Sequence, residues 1–334
     1  MNKALFSIRL REARLQQGYS LNQLVKKAGL SISRQSLYRY EKGEMLPKAD
    51  VVSALAKVFG VVESYFSGNS LQVDIPMLRS TKECKFSSDE ESHLEAKLCF
   101  WAEHYLKMEY DANLQSSFNN PLNGMSIATL NDAIHAVNKL RSAWNCGDGP
   151  IASILRLIER KGIKIFNTSL PNGIYGLSTW ADHTHPLMIL DMRLEKTTVE
   201  RLRFTAAHEL AHLLLSFTED SQLTIEKRCD KFAGFFLFPK STFIEEMGGE
   251  KREFITLEEM IDLKQVYGVS VAAQVRTAYD IGMITPEHYH WWFEEKIDKN
   301  IQEKGWGCYH FPETIGREKR IEAALARNYS QMDE

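Results

Sequence analysis

Cysteine is sparse and unpatterned: Cys84, Cys99, Cys146, Cys229 and Cys308 are widely scattered, odd in number and without a CxxC pair. This argues against a disulfide framework and a cysteine zinc knuckle, so reduced thiols are expected. Long apolar runs are also missing. No stretch reaches the roughly 18 uninterrupted apolar residues of a membrane span. The opening MNKALFSIRLREARLQQ lacks the apolar centre of a secretory signal. A cytoplasmic protein with no membrane partner is expected. Internal repeats and low-complexity tracts are absent as well.

What is present suits a globular protein of two bodies: 334 residues, 44% hydrophobic and 25% charged. Charge is unevenly divided. Residues 1 to 66 hold 11 Lys/Arg and 5 Asp/Glu, a net +6, which leaves −9 for the rest of a chain whose total is −3. A basic head ahead of an acidic body is the electrostatic footprint of a phosphate-binding module, although a solvated basic surface gives the same count.

In the head, apolar residues recur at helical spacing through Leu5, Ile8 and Leu10 and again through Leu21, Leu24, Val25 and Ala28. Ser20 is placed to cap the second run and Gly29 to end it; a third run begins at Ser33 and stops at Gly43. That layout is a helix-turn-helix. The segments Arg9-Leu10-Arg11-Glu12, Gly18-Tyr19-Ser20 and Glu41-Lys42-Gly43 with Pro47 resemble the XRE family of helix-turn-helix repressors. The resemblance implies an operator in double-stranded DNA as partner. It puts Arg34, Gln35, Ser36 and Arg39 towards base edges. Arg suits guanine O6/N7 and Gln adenine N6/N7, while Lys42 and Lys48 suit phosphates. The alternative is a polar, merely solvated helix face.

From Ser67 to Ser88 the text is irregular and reads as a linker or a peripheral strand. A long helix is predicted from about Asp89 to Asp111, where Leu94, Leu98, Trp101, Tyr105 and Met108 form one apolar face for a core or dimer contact. Residues 116 to 125 read as a loop. IASILRLIERKGIKIF then predicts a helix, a stop at Gly162 and a strand, and GIYGLSTWADHTHPLMILD predicts two strands joined by a polar turn, an edge on which a substrate strand could pair.

The segment ERLRFTAAHELAHLLLSF contains no Pro or Gly and reads His-Glu-Leu-Ala-His at 208 to 212. On a helix His208 and His212 are i and i+4, so both imidazoles leave one face and can share a tetrahedral Zn²⁺. Glu209, one residue round, reaches a metal-bound water as general base. A catalytic zinc needs a third protein ligand. IEKRCDKFAGFFLFP supplies Glu226 as that ligand and Asp230, again i and i+4, to orient a ligand histidine. The alternative is two solvated acids beside Lys227, Arg228 and Lys231.

Four segments, 149–166, 203–215, 226–239 and 263–285, together resemble the ImmA/IrrE metallo-endopeptidases, over roughly 73 to 285. The family's usual E-x-x-A-N stands here as Glu226-Lys-Arg-Cys229-Asp230. The resemblance implies a multidomain chain, with an all-α helix-turn-helix domain ahead of an α+β zincin-like, gluzincin-type domain with a small mixed sheet and a helical C-terminal region. The expected limits are 1–66 for the head, 67–131 for linker and connecting helix, 132–285 for the peptidase and 286–334 for a tail of unassigned role. It implies peptide-bond hydrolysis with Zn²⁺ as cofactor, the substrate being a co-encoded repressor or antitoxin-like regulator in a mobile-element, stress or toxin–antitoxin setting. A homodimer is compatible with it. Tyr175, His183, His185, Tyr267 and Arg276 are available types for oxyanion stabilisation. The rival reading is a non-proteolytic repressor whose zinc domain is a sensor or dimerisation body.

Overall fold

A computed structural model describes residues 3–29, 32–66, 73–74, 88–218 and 221–332. Most of the stretch read as a linker, 67–88, lies outside these. By contacts the chain forms two compact units, one of residues 1–116, 179–185 and 318–334, the other of 117–178 and 186–317.

The first unit starts with α1 (Lys3–Gln16), α2 (Leu21–Ala28), α3 (Arg34–Glu41) and α4 (Ala49–Phe59), followed by a 3-10 turn at Glu63–Phe66. The starts of α2 and α3 are chemically marked. Ser20 and Gln23 form a reciprocal capping box on α2, Ser33 Oγ accepts from the Ser36 N–H at 3.0 Å on α3, and α2 ends at Gly29 with φ +63°. Phe6, Leu10, Leu24, Leu37, Leu55 and Phe66 are fully buried and make the core. Ile8, expected on the apolar face of α1, is 47% exposed; it lies two residues from Phe6, about 200° round the helix, and the inward face is carried by Phe6, Leu10 and Ala13. Arg14 grips Glu41 with two hydrogen bonds of 2.5 and 2.9 Å, locking α1 to the end of α3.

After β1 (Val73–Asp74) comes α5 (Ser88–Asp111). Its predicted apolar face is covered within the chain: Tyr105 and Met108 pack with Ile321 and Ala324 of the last helix, and Arg9 of α1 pairs with Glu103.

The second unit contains β2 (Ser126–Ile127), α6 (Leu130–Trp144), α7 (Ile154–Arg160), β3 (Lys164–Asn167), β4 (Gly176–Ala181), β5 (His185–Leu190), α8 (Val199–Leu214), β6 (Ser216–Phe217) and α9 (Gln222–Leu237). β3 and β5 pair in parallel, β4 lies on the other side of β5, and β2 pairs in parallel with β6. The tip between β4 and β5, residues 179–185, groups with the first unit, where Val73 and Asp74 pair with Ala181 and Trp180. Among the described residues this gives a helical head followed by a helix-rich body with small sheets. No described helix is long and apolar enough to cross a membrane.

The remaining helices are α10 (Lys240–Glu246), α11 (Leu257–Tyr267), α12 (Val271–Asp280), α13 (Pro286–Trp292) running into a π turn, and α14 (Arg317–Met332). The segment after α13 is fastened by buried carboxylates. Glu313 accepts from the Ile154 and Leu155 N–H groups and pairs with the fully buried Arg203 of α8. Glu303 accepts from the Val271 and Ala272 N–H groups and from Lys264 at 2.7 Å. Each acid therefore answers a helix N-terminus and a buried cation at once.

Candidate functional site

α8 starts at Thr198, whose side chain accepts from Arg201 N–H, and α9 starts likewise at Ser221. Helical spacing then decides what each face carries. Along α8, Ala206, Ala207, Leu210 and Ala211 turn inward, while Phe204, His208 and His212 share the half-exposed side. On α9, Cys229, Phe232, Ala233 and Phe236 are fully buried.

These two helices bring His208, His212 and Glu226 together, with one ligand atom from each within 4.8 Å of the others. Among the described residues this is the group able to hold a metal ion. The spacing fits one. Donors about 2.0–2.1 Å from a tetrahedral ion stand roughly 3.3–3.4 Å apart. Here His208 Nε2 lies 3.1 Å from His212 Nε2 and 3.0 Å from Glu226 Oε2, and His212 Nε2 lies 3.6 Å from the same oxygen. Two imidazole nitrogens and a carboxylate are a zinc donor set, and the partial exposure of all three leaves a side open for a fourth ligand.

Both imidazoles turn Nε2 into the cluster because Nδ1 is held from behind. His208 donates from Nδ1 to Asp230 Oδ1 at 2.8 Å, and His212 Nδ1 lies 3.7 Å from the buried Cys229 thiol. Gln222 donates to the other oxygen of Glu226. Burial disfavours charge on His208, but Asp230 and Glu226 outweigh it and push its pKa up from 6.5 to about 10. Burial raises the pKa of Glu226, but its hydrogen bonds with His208 and His212 overcome this and hold it well below the usual carboxylate range. Burial and the surrounding acids push the Cys229 thiol well up, so it stays protonated. Of the basic neighbours on α9, Arg228 donates to the Ile127 and Ala128 carbonyls and Lys231 to Asp280.

Glu209 is nearly buried beside the cluster, and Ser178 Oγ of β4 donates to its Oε2 at 2.7 Å. β4 can lie this close because residue 176 is glycine. A Cβ there would fall 2.5 Å from Thr205 Cγ2 and 3.2 Å from Glu209 Cγ. Sequence reasoning missed Ser178 because nothing in a strand 31 residues away marks it as a partner of Glu209. Cys229 was legible as the departure from the family's alanine, but its role was not. Among the oxyanion candidates, the Tyr267 hydroxyl donates to Glu246 and its ring stacks on Phe238, Arg276 lies over Tyr289 and Phe293, and Tyr175 lies under Lys196 and Arg201. His183 and His185 sit in the tip of the β4–β5 hairpin.

In the head, Arg34, Gln35, Arg39, Lys42 and Lys48 are exposed and Ser36 is half-buried. Two of the expected base-facing residues have partners of their own. Ser36 Oγ lies 2.9 Å from the capping Ser33 hydroxyl, and Arg39 donates to Glu44 at 3.1 Å.

A helix-turn-helix head and a His-His-Glu cluster on two helices define the class: a DNA-binding type of domain joined to a metallopeptidase-like one. Comparison with known families makes this specific. Residues 10–66 match the helix-turn-helix family model, of XRE type, and residues 158–278 match the IrrE N-terminal-like domain, so the chain joins an XRE-type head to an ImmA/IrrE-like domain. No curated protein matches the chain. Among solved structures, ComR from S. thermophilus in complex with DNA and its signalling peptide ComS is aligned over 98% of this chain and 91% of its own at 13% identity. Its TM-score of 0.18 carries no argument.

Proposed function

We propose that this chain is a DNA-binding regulator with zinc-dependent endopeptidase activity, which cleaves a partner repressor or antitoxin-like protein and so changes transcription. The observation that carries the reading is the convergence of His208, His212 and Glu226 at tetrahedral spacing, with Asp230 behind one imidazole. In this reading the body is a gluzincin-type, zincin-like domain within 132–285, preceded by a head at 1–66 and a connector at 67–131. His208, His212 and Glu226 would hold zinc, and zinc, when bound, polarises a carbonyl and acidifies a water. Glu209 takes the proton from the attacking water. Its Oε2 is held by Ser178, which leaves Oε1 to receive the proton and pass it to the leaving amine. Asp230 keeps the Nδ1 proton on His208, so that Nε2 presents its lone pair. The head binds an operator in double-stranded DNA through α3, with Lys42 and Lys48 on phosphates.

Glu209→Gln separates the proteolytic reading from a zinc-dependent sensor or dimerisation body. With a co-expressed candidate repressor, the variant is expected to keep zinc and DNA binding but to lower cleavage by at least about 100-fold. Derepression that survives the substitution sinks the proteolytic reading.

A further inference from the structure

The exposed face of α3 contains a residue that its polar pattern conceals. Leu37 and Tyr40 turn into the core, and the side opposite them carries Arg34, Gln35, Tyr38, Arg39 and Lys42. Tyr38 is 49% exposed, and it is not among the described apolar residues that pack on the core of the head. The Lys42 ammonium lies 5.7 Å from its centroid, one helical turn on, so the ring is supported from the C-terminal side of the helix. Arg34 stands one turn earlier on the same line, so the sequence Arg34, Tyr38, Lys42 sets cation, ring and cation along one stripe. Ser36 and Arg39 are meanwhile held by Ser33 and Glu44.

In helix-turn-helix domains the second helix of the motif enters the major groove. There the one apolar group on a base edge is the C5-methyl of thymine. An exposed ring between two cations matches that surface, since the cations settle near phosphates or guanine while the ring excludes water from the methyl. We infer that Tyr38 is a specificity-determining residue of this domain and packs on a thymine methyl in the preferred site. The inference rests on the proposed DNA-binding role of the head.

The test begins by selecting a preferred duplex for the full-length protein from a randomised pool, then replacing its thymines one at a time with deoxyuridine, which removes only the methyl. For the unaltered protein, at least one of these replacements is expected to weaken binding roughly fourfold, the scale of one buried methyl group. Tyr38→Ala should bind the thymine and uracil duplexes equally, and Tyr38→Phe should keep the discrimination. The inference is overturned if no replacement weakens binding, if Tyr38→Ala retains the same sensitivity, or if Tyr38→Phe loses it. Failure of the unaltered protein to bind any duplex overturns the DNA-binding reading itself, and this inference with it.

Discussion

At His208 two carboxylates act on one imidazole, Asp230 at Nδ1 and Glu226 at Nε2. Their roles differ by position. Glu226 shares its oxygen with His212 and stands where a metal ligand would, whereas Asp230 touches only the far side of the ring. Asp230→Ala should therefore lower zinc affinity by about 10- to 100-fold without removing a ligand. Competition against a chelator reads this, and an unchanged affinity would refute the orienting role. The pair was legible in the sequence because i and i+4 must share a helix face. Cys229 behind His212 and Ser178 on Glu209 were not, since one depends on how α9 rotates against α8 and the other on where the sheet lies.

Among elements, the contact of α1 with α5 has its own chemistry. Glu12 is largely buried there beside Arg9, and desolvation, with Glu95 adding to it and Arg9 opposing, raises its pKa from 4.5 to about 7. A carboxyl whose pKa is higher folded than unfolded binds its proton more tightly when folded. Its contribution is thus complete below pH 4.5 and lost as pH rises through about 7. The loss is on the order of 3 kcal/mol. Denaturant unfolding should show the head losing stability over that interval, and Glu12→Gln should flatten the loss; parallel pH profiles for the two proteins would refute it. Sequence reasoning read Leu94, Leu98, Trp101, Tyr105 and Met108 of α5 as one apolar contact face; Leu94, Leu98, Tyr105 and Met108 are buried, and Trp101 packs beside them partly buried. That reading could not say that α14 from the other end of the chain would cover part of the face, because helical periodicity marks a face and not its partner.

For the whole molecule, the segment that follows the peptidase-like region is part of the fold. Glu303 and Glu313 each answer a buried cation, Lys264 and Arg203, and removing one partner of a buried pair costs about 3–5 kcal/mol. Two such losses approach the whole stability of a typical domain, about 5–15 kcal/mol. A chain ending at residue 285 should lose the cooperative thermal transition of the second unit, whereas one ending at 317 should keep it. A shorter chain that melts as the longer one does would overturn this. The sequence by itself determined the helix starts at Ser20 and Ser33, the i, i+4 pairs at 208 and 212 and at 226 and 230, and hence the chemistry on offer, because capping and helical period are local. Only the tertiary structure decided that the two pairs meet, that Ser178 reaches Glu209 past Gly176, and that the late acids fasten α7 and α12. Those contacts join residues tens to more than a hundred positions apart, and they are set by packing and by the need to satisfy buried charge.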